Sequence, residues 1–168
     1  MKKSWRYLIV LVVILVTTTA LYSDKGNTGY KCLIQLKNYQ GEGAYMVVSI
    51  VDKEWKYVET VHVSGDDHEW YPDLQKWWKY RGKNRHQPRL DGVTGSTIGN
   101  GERTVISIEL KDKFVDNGYQ LRFETAVEDK TYHKEDVSID LSSTILKAGK
   151  FTGKAGYIRL IRLIPLSK

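Results

Sequence analysis

Tyr119-Gln-Leu-Arg-Phe-Glu-Thr-Ala-Val-Glu128 sets Tyr119, Leu121, Phe123, Thr125 and Val127 against Gln120, Arg122, Glu124, Ala126 and Glu128. A period of two over ten residues is the pattern of a half-buried β-strand. The same period recurs outward in both directions, at Cys32–Leu36, Tyr45–Val51, Tyr57–Val63, Val105–Leu110 and Tyr157–Ile164. Turn residues separate these stretches: Gly41-Glu-Gly43, Asp52-Lys-Glu54, Gly65-Asp-Asp67, Asp116-Asn-Gly118 and Gly153–Gly156. Short strands at this spacing predict an all-β domain, an antiparallel immunoglobulin-like β-sandwich. One segment breaks the period. Pro72 suits a first helical position, Leu74, Trp77, Trp78 and Arg81 follow at helical spacing, and Gly82 is placed to stop the chain. One short helix over 72–81 is therefore expected on the sandwich.

Composition narrows the class. The chain has 168 residues, 41% of them apolar and 27% charged, which suits a single globular domain and excludes a disordered one. A single cysteine, Cys32, rules out a disulfide framework and a four-cysteine zinc site, and its place in a strand pattern predicts that it faces a core. Lys2, Lys3 and Arg6 precede the apolar run Leu8–Val16 and the small residues Thr17–Ala20, the layout of an export signal with cleavage after Ala20. The stretch Tyr7–Tyr22 reads equally as an uncleaved anchor in the inner membrane. Both readings export the rest, to the periplasm or another extracytoplasmic place. The organisation expected is 1–20 signal or anchor, 21–30 linker and 31–168 the domain. Cleavage would remove three of the positive charges behind a net +6, so the basic balance belongs partly to targeting and gives no reason to expect a nucleic-acid partner.

Chemistry concentrates in Asp91-Gly-Val-Thr-Gly-Ser-Thr97. A polar turn is the plain reading, with glycines supplying positive φ and Asp91 capping the backbone. The segment also fits Asp-x-x-(Ser/Thr)-Gly-(Ala/Ser)-(Ser/Thr), the sequon at which a transferase takes FMN from FAD and esterifies its phosphate to the last hydroxyl. Average residue frequencies give a chance match in roughly one chain of this length per thousand. On this reading Thr97 is the acceptor, and Asp91, Thr94, Gly95 and Ser96 are recognition elements. The small residues let the backbone approach phosphate and metal, Mg²⁺ serving the transfer alone. His68, Trp70, Trp77 and Trp78 stand nearby in sequence as possible flavin contacts, by stacking or hydrogen bonding. Each has another reading: Trp77 and Trp78 as helix core, His68 as a turn cap. Lys79, Arg81, Lys83, Arg85 and Arg89 are either a solvated loop or a counter-charge to the phosphodiester. His62 and His68 lack a convincing third ligand for a metal. No residues form a catalytic set, so no catalytic residue is assigned.

The spacing His68-x-Trp70, Asp73-Leu74-x-x-Trp77-Trp78, Asp91–Thr97 and then Gly118-Tyr119-x-Leu121-x-Phe123-Glu124-x-Ala126-x-Glu128 resembles a predicted periplasmic protein family, domain of unknown function 2271. The resemblance covers about residues 30–165. Ser96 stands where the family more often has alanine, and Ile98-Gly-Asn-Gly101 where a proline-containing turn is more usual. It implies a small exported β-rich domain associated with extracytoplasmic flavinylation and electron transfer. The partners so implied are an FAD:protein FMN transferase and a membrane oxidoreductase or cytochrome. Function is then that of an electron carrier more than of an enzyme with a substrate pocket. The alternative is a non-catalytic cell-surface module binding glycan or protein through Trp70, Trp77 and Trp78, with Asp91–Thr97 an ordinary turn.

Overall fold

A computed structural model describes residues 26–65, 67–83 and 94–167. In chain order these form β1 (Asn27–Leu36), β2 (Tyr45–Val51), β3 (Tyr57–Ser64), a 3₁₀ helix (His68–Asp73), α1 (Gln75–Lys83), β4 (Thr94–Gly95), β5 (Arg103–Lys111), β6 (Gln120–Ala126), β7 (His133–Asp140), α2 (Ser143–Ala148), β8 (Lys150–Thr152) and β9 (Ile158–Pro165). Two sheets pack face to face, ordered β5-β1-β9-β8 and β4-β3-β2-β6-β7. This is the all-β sandwich that the alternation predicts. The strand pairs are antiparallel apart from β3 and β4, which run parallel. A parallel pair needs a crossover, and the intervening segment carries the 3₁₀ helix and α1.

The main core lies between the sheets. Cys32, Ile34 and Leu36 of β1 meet Met46, Val48 and Ile50 of β2 and Leu121 and Phe123 of β6, with Ile106, Ile108 and Leu110 arriving from β5. Cys32 faces this core as expected, and burial pushes its thiol up to about 12. A second, smaller core lies on the outer face of the five-stranded sheet. There Val47, Val63 and Ala126 are covered by Tyr71, Leu74 and Trp77.

That outer core changes two expectations. Residues 121–126 are buried on both faces instead of one, because the crossover roofs the outer side. The helix begins later than predicted: Pro72 sits inside the 3₁₀ turn and Leu74 caps it. Trp77 is fully buried with its indole N–H donating to Thr60 Oγ1 at 2.9 Å, whereas Trp78 keeps 38% of its surface exposed. The sequence announces neither β7 nor the two short strands β4 and β8, nor the short α2, whose N-cap Ser142 accepts from Ile145 N. Residues 27–30, expected in a linker, belong to β1. The signal or anchor segment lies outside the described residues, and no helix among the described residues is long and apolar enough to cross a membrane.

With the outer face closed, Arg122 and Glu124 have no water to face. Glu124 is 0% exposed and accepts from Arg122 at 3.0 Å, from Tyr57 Oη at 2.5 Å and from Tyr132 Oη. The Arg122 guanidinium stacks over the Tyr57 ring at 4.3 Å. Burial pushes the Glu124 carboxyl up, and the donors from Tyr132, Tyr57 and Arg122 pull against it. Tyr132 Oη also accepts from the backbone of Lys76, and the Tyr80 ring stacks on Tyr57 at 4.8 Å, so the cluster fastens α1 to the sheet. Removing one member of a buried ion pair strands the other. Glu124→Ala is therefore expected to cost about 3–5 kcal/mol in urea unfolding, while Trp78→Ala, on the exposed side of the same helix, costs under about 1 kcal/mol.

Candidate functional site

Strand β3 does not keep a simple alternation. Its pairing with β2 runs Val48↔His62 and then Ser49↔Thr60, so Val61 is an extra residue opposite no partner. Such a bulge shifts every later side chain to the other face. Thr60 points outward to Trp77, whereas His62 and Ser64 lie opposite Val48 and Met46 and point inward, between the sheets. Both are buried, at 9% and 2% exposure, and His62 Nε2 lies 3.1 Å from Ser64 Oγ. Burial in this place depresses the imidazole from 6.5 to about 4, so it is neutral at ordinary pH.

Opposite β3 across the sandwich stands β5, the edge of the other sheet. The inward pattern of β5 brings Thr104 and Ile106 toward the seam. Between the two strands lies an open cleft of about 510 Å³, lined by His62, Ser64, Gly95, Thr97, Thr104 and Ile106 among others. Further along the same two strands the seam is drawn together by Lys111 and Glu59, 2.6 Å apart. At the other end lies the carboxyl-terminal part of the Asp91–Thr97 segment.

That segment is held by its backbone. Gly95 pairs with Ser64, and its carbonyl accepts from Gly65 N at 2.5 Å. Gly65 has φ +117°, and a Cβ there would collide with the Tyr45 ring, so only glycine fits. Ile98 then bridges to Ala44 in both directions, at 2.7 and 3.1 Å. Between these two anchors, Ser96 is exposed and Thr97 half-buried. The Thr97 side chain lies over Gly43, where an added Cβ would sit 2.7 Å from Thr97 Oγ1. Gly43 thus leaves the room that the hydroxyl occupies. The His62 ring flanks Gly95 closely enough that a Cβ there would be 3.7 Å away.

The structure brings Thr97, Ser96 and Gly95 together at the cleft, and β4 places the backbone of Thr94 beside Val63. Asp91, Arg85 and Arg89 lie outside the described residues. His68 is exposed on the 3₁₀ helix with its ring 4.7 Å from Tyr71, and Trp70 is half-buried beside it. Trp77, Trp78 and Tyr71 form one aromatic group on the outer face of the sheet. They are on the opposite side of β3 from His62. No motif marks the His62–Ser64 pair in the sequence. The signal was present in Val61-His-Val-Ser64, where two polar residues alternate with two valines, yet without the bulge the parity assigns them to the wrong face. No cluster of three metal-ligating side chains occurs among the described residues.

A protein-family model described as a predicted periplasmic protein, domain of unknown function 2271, matches residues 27–159. No curated protein and no solved structure matches the chain.

The buried imidazole carries a pH signature. The unfolded chain protonates His62 near 6.5 and the folded chain only near 4. Between those values the unfolded state binds more protons, so stability falls as the pH falls through that window and levels off below it. The shift corresponds to about 3–4 kcal/mol at full extent, less where water enters the cleft. Urea unfolding of wild type and His62→Gln at pH 7 and pH 4.5 is expected to show a smaller acid loss in the variant. Equal losses would contradict a buried, neutral His62.

Proposed function

The chain belongs to the family of predicted periplasmic proteins called domain of unknown function 2271, and on that premise we propose that it is an extracytoplasmic electron-transfer protein carrying FMN esterified to Thr97. The observation that carries the reading is the position of Thr97. The last hydroxyl of the sequon stands at the end of a cleft of about 510 Å³, within the range of small-molecule and cofactor sites. The residues present are compatible with a tethered flavin. Gly43 puts no side chain against the acceptor, Ser96 and Thr97 lie between two backbone anchors, and the cleft beyond them offers the hydrogen-bonding groups of His62, Ser64 and Thr104.

In the attachment reaction Thr97 Oγ bonds to the FMN phosphorus of FAD, the bond between the two phosphates breaks, and AMP leaves. The hydroxyl proton passes to a base of the transferase. Asp91, Thr94 and Gly95 are the residues by which the transferase, with its Mg²⁺, recognises the segment. The bound flavin supplies one- or two-electron chemistry, and the chain supplies exposure and orientation. A covalent tether keeps the cofactor where a dissociated one has no ready replacement. The redox partner on this reading is a membrane oxidoreductase or cytochrome. The periplasmic side follows the family description, and N-terminal anchoring belongs to the same proposal.

Co-expression of the exported chain with an FAD:protein FMN transferase tests the reading. Intact mass is expected to rise by one FMN less one water, the band to fluoresce under ultraviolet light after denaturation, and both signals to vanish in Thr97→Ala. No adduct, in cells where an accepted flavin substrate is labelled, would overturn it and leave a binding module with an ordinary turn at 91–97.

A further inference from the structure

We infer that the isoalloxazine ring of the flavinylated protein is seated in the cleft between β3 and β5, with the His62–Ser64 pair against its heteroatom edge, and not on the aromatic group of α1. The inference rests on the Thr97 reading and goes beyond it by naming the seat of the ring and the residues that hold it.

Three observations converge. Thr97 itself lines the cleft, so a ring tethered there reaches it without leaving the seam. The aromatic group is a poor alternative: Trp77 and Tyr71 are spent on the outer core, and they lie behind β3, so the tether would have to pass round the β3–β4 edge. Of that group, Trp78 is the member with a substantial exposed face.

The chemistry of the cleft also suits the ligand. An isoalloxazine is flat, uncharged when oxidised, and carries both donors and acceptors along one edge. A neutral imidazole offers one donor and one acceptor, and a hydroxyl offers both. His62 and Ser64 are hydrogen-bonded to one another at 3.1 Å and point into the seam, which leaves the second ring nitrogen and the second function of the hydroxyl for a ligand edge. A charged side chain in the same place would have to be desolvated beside a neutral ring. On the opposite wall Ile106 and the methyl group of Thr104 offer aliphatic contact for a ring face within a cleft that is otherwise mostly polar. Arg103, at the Thr97 end of the cleft, puts a cation near the phosphodiester. The nearby Glu102 carboxylate accepts from Gly99 N at 3.0 Å, which holds it to its own turn. His62 and Ser64 are positioning residues in this account; no step of electron transfer is assigned to them.

The experiment uses the full chain flavinylated in cells, with the adduct verified by mass before any comparison. Fluorescence quenching by iodide then reports how far solvent reaches the ring, and visible circular dichroism reports how firmly it is held. A cleft that buries most of the ligand surface lowers the quenching constant roughly threefold or more below that of free FMN. Thr104→Phe, which fills the cleft, is expected to restore quenching toward the free value. His62→Ala is expected to weaken the visible dichroism while leaving the far-ultraviolet spectrum unchanged, and Trp78→Ala to alter neither signal. Quenching equal to free FMN in the wild type would overturn the inference while leaving the Thr97 attachment intact. So would a change in Trp78→Ala with none in His62→Ala and Thr104→Phe. Absence of the adduct would overturn both the attachment and the seat.

Discussion

One extra residue in β3 decides what the seam of this sandwich contains. Because Val61 has no partner on β2, the parity of the strand changes between Thr60 and His62. Thr60 stays outside to receive the Trp77 indole, and His62 and Ser64 turn inside. A regular strand would keep Thr60, His62 and Ser64 on one face. The imidazole would then lie in the outer core, and the seam beside Thr97 would be lined by valines. The bulge thus lets one strand serve an apolar crossover on one side and a polar cleft on the other.

The crossover explains the unusual burial elsewhere. Connecting β3 to its parallel neighbour β4 requires a segment that passes over the sheet, and here that segment covers β2 and β6. Their outward residues consequently lose contact with water. For Glu124 the partners are two tyrosine hydroxyls and a guanidinium, and for Arg122 they are that carboxylate and a ring to lie on, with its Nε left unpaired. The same tyrosines hold α1 by its backbone and by stacking. The cluster that supplies the Glu124 carboxylate with donors is therefore also the one that docks the helix.

The sequence is legible where a side chain's face follows from simple period and hard to read where neighbours change that face. The strands at Cys32, Tyr45, Val105 and Tyr119 follow the alternation, and the apolar halves of those strands are the core. The polar halves mislead: Arg122 and Glu124 read as solvent-facing because nothing local reveals the roof above them. The helix is legible from Leu74 and Trp77, but its roof role makes Trp77 a core residue and leaves Trp78 outside. β7 is obscured by its charged start, His133-Lys-Glu-Asp136, although Asp136 is buried there, accepting from Thr125 Oγ1 and Ile158 N. At the site, only a motif match points to Thr97 and its proposed role, and the His62–Ser64 pair depends on a bulge that no short pattern encodes.

Thr97 joins these constraints to the proposed function. Its backbone is fixed between Gly95 and Ile98, its side chain fits over a glycine, and it stands at the end of a cleft walled by two sheets. On the proposed reading a modification enzyme would meet this hydroxyl at the rim of the sandwich, and the cofactor it attached would have a groove beside it. Tandem mass spectrometry of the tryptic peptide Leu90–Arg103, from the protein isolated out of its native cells, tests the central claim most directly. The peptide contains three hydroxyls, at Thr94, Ser96 and Thr97. An FMN phosphoester on Thr97 is expected; an unmodified peptide, or an adduct on Thr94 or Ser96, would contradict the proposed attachment.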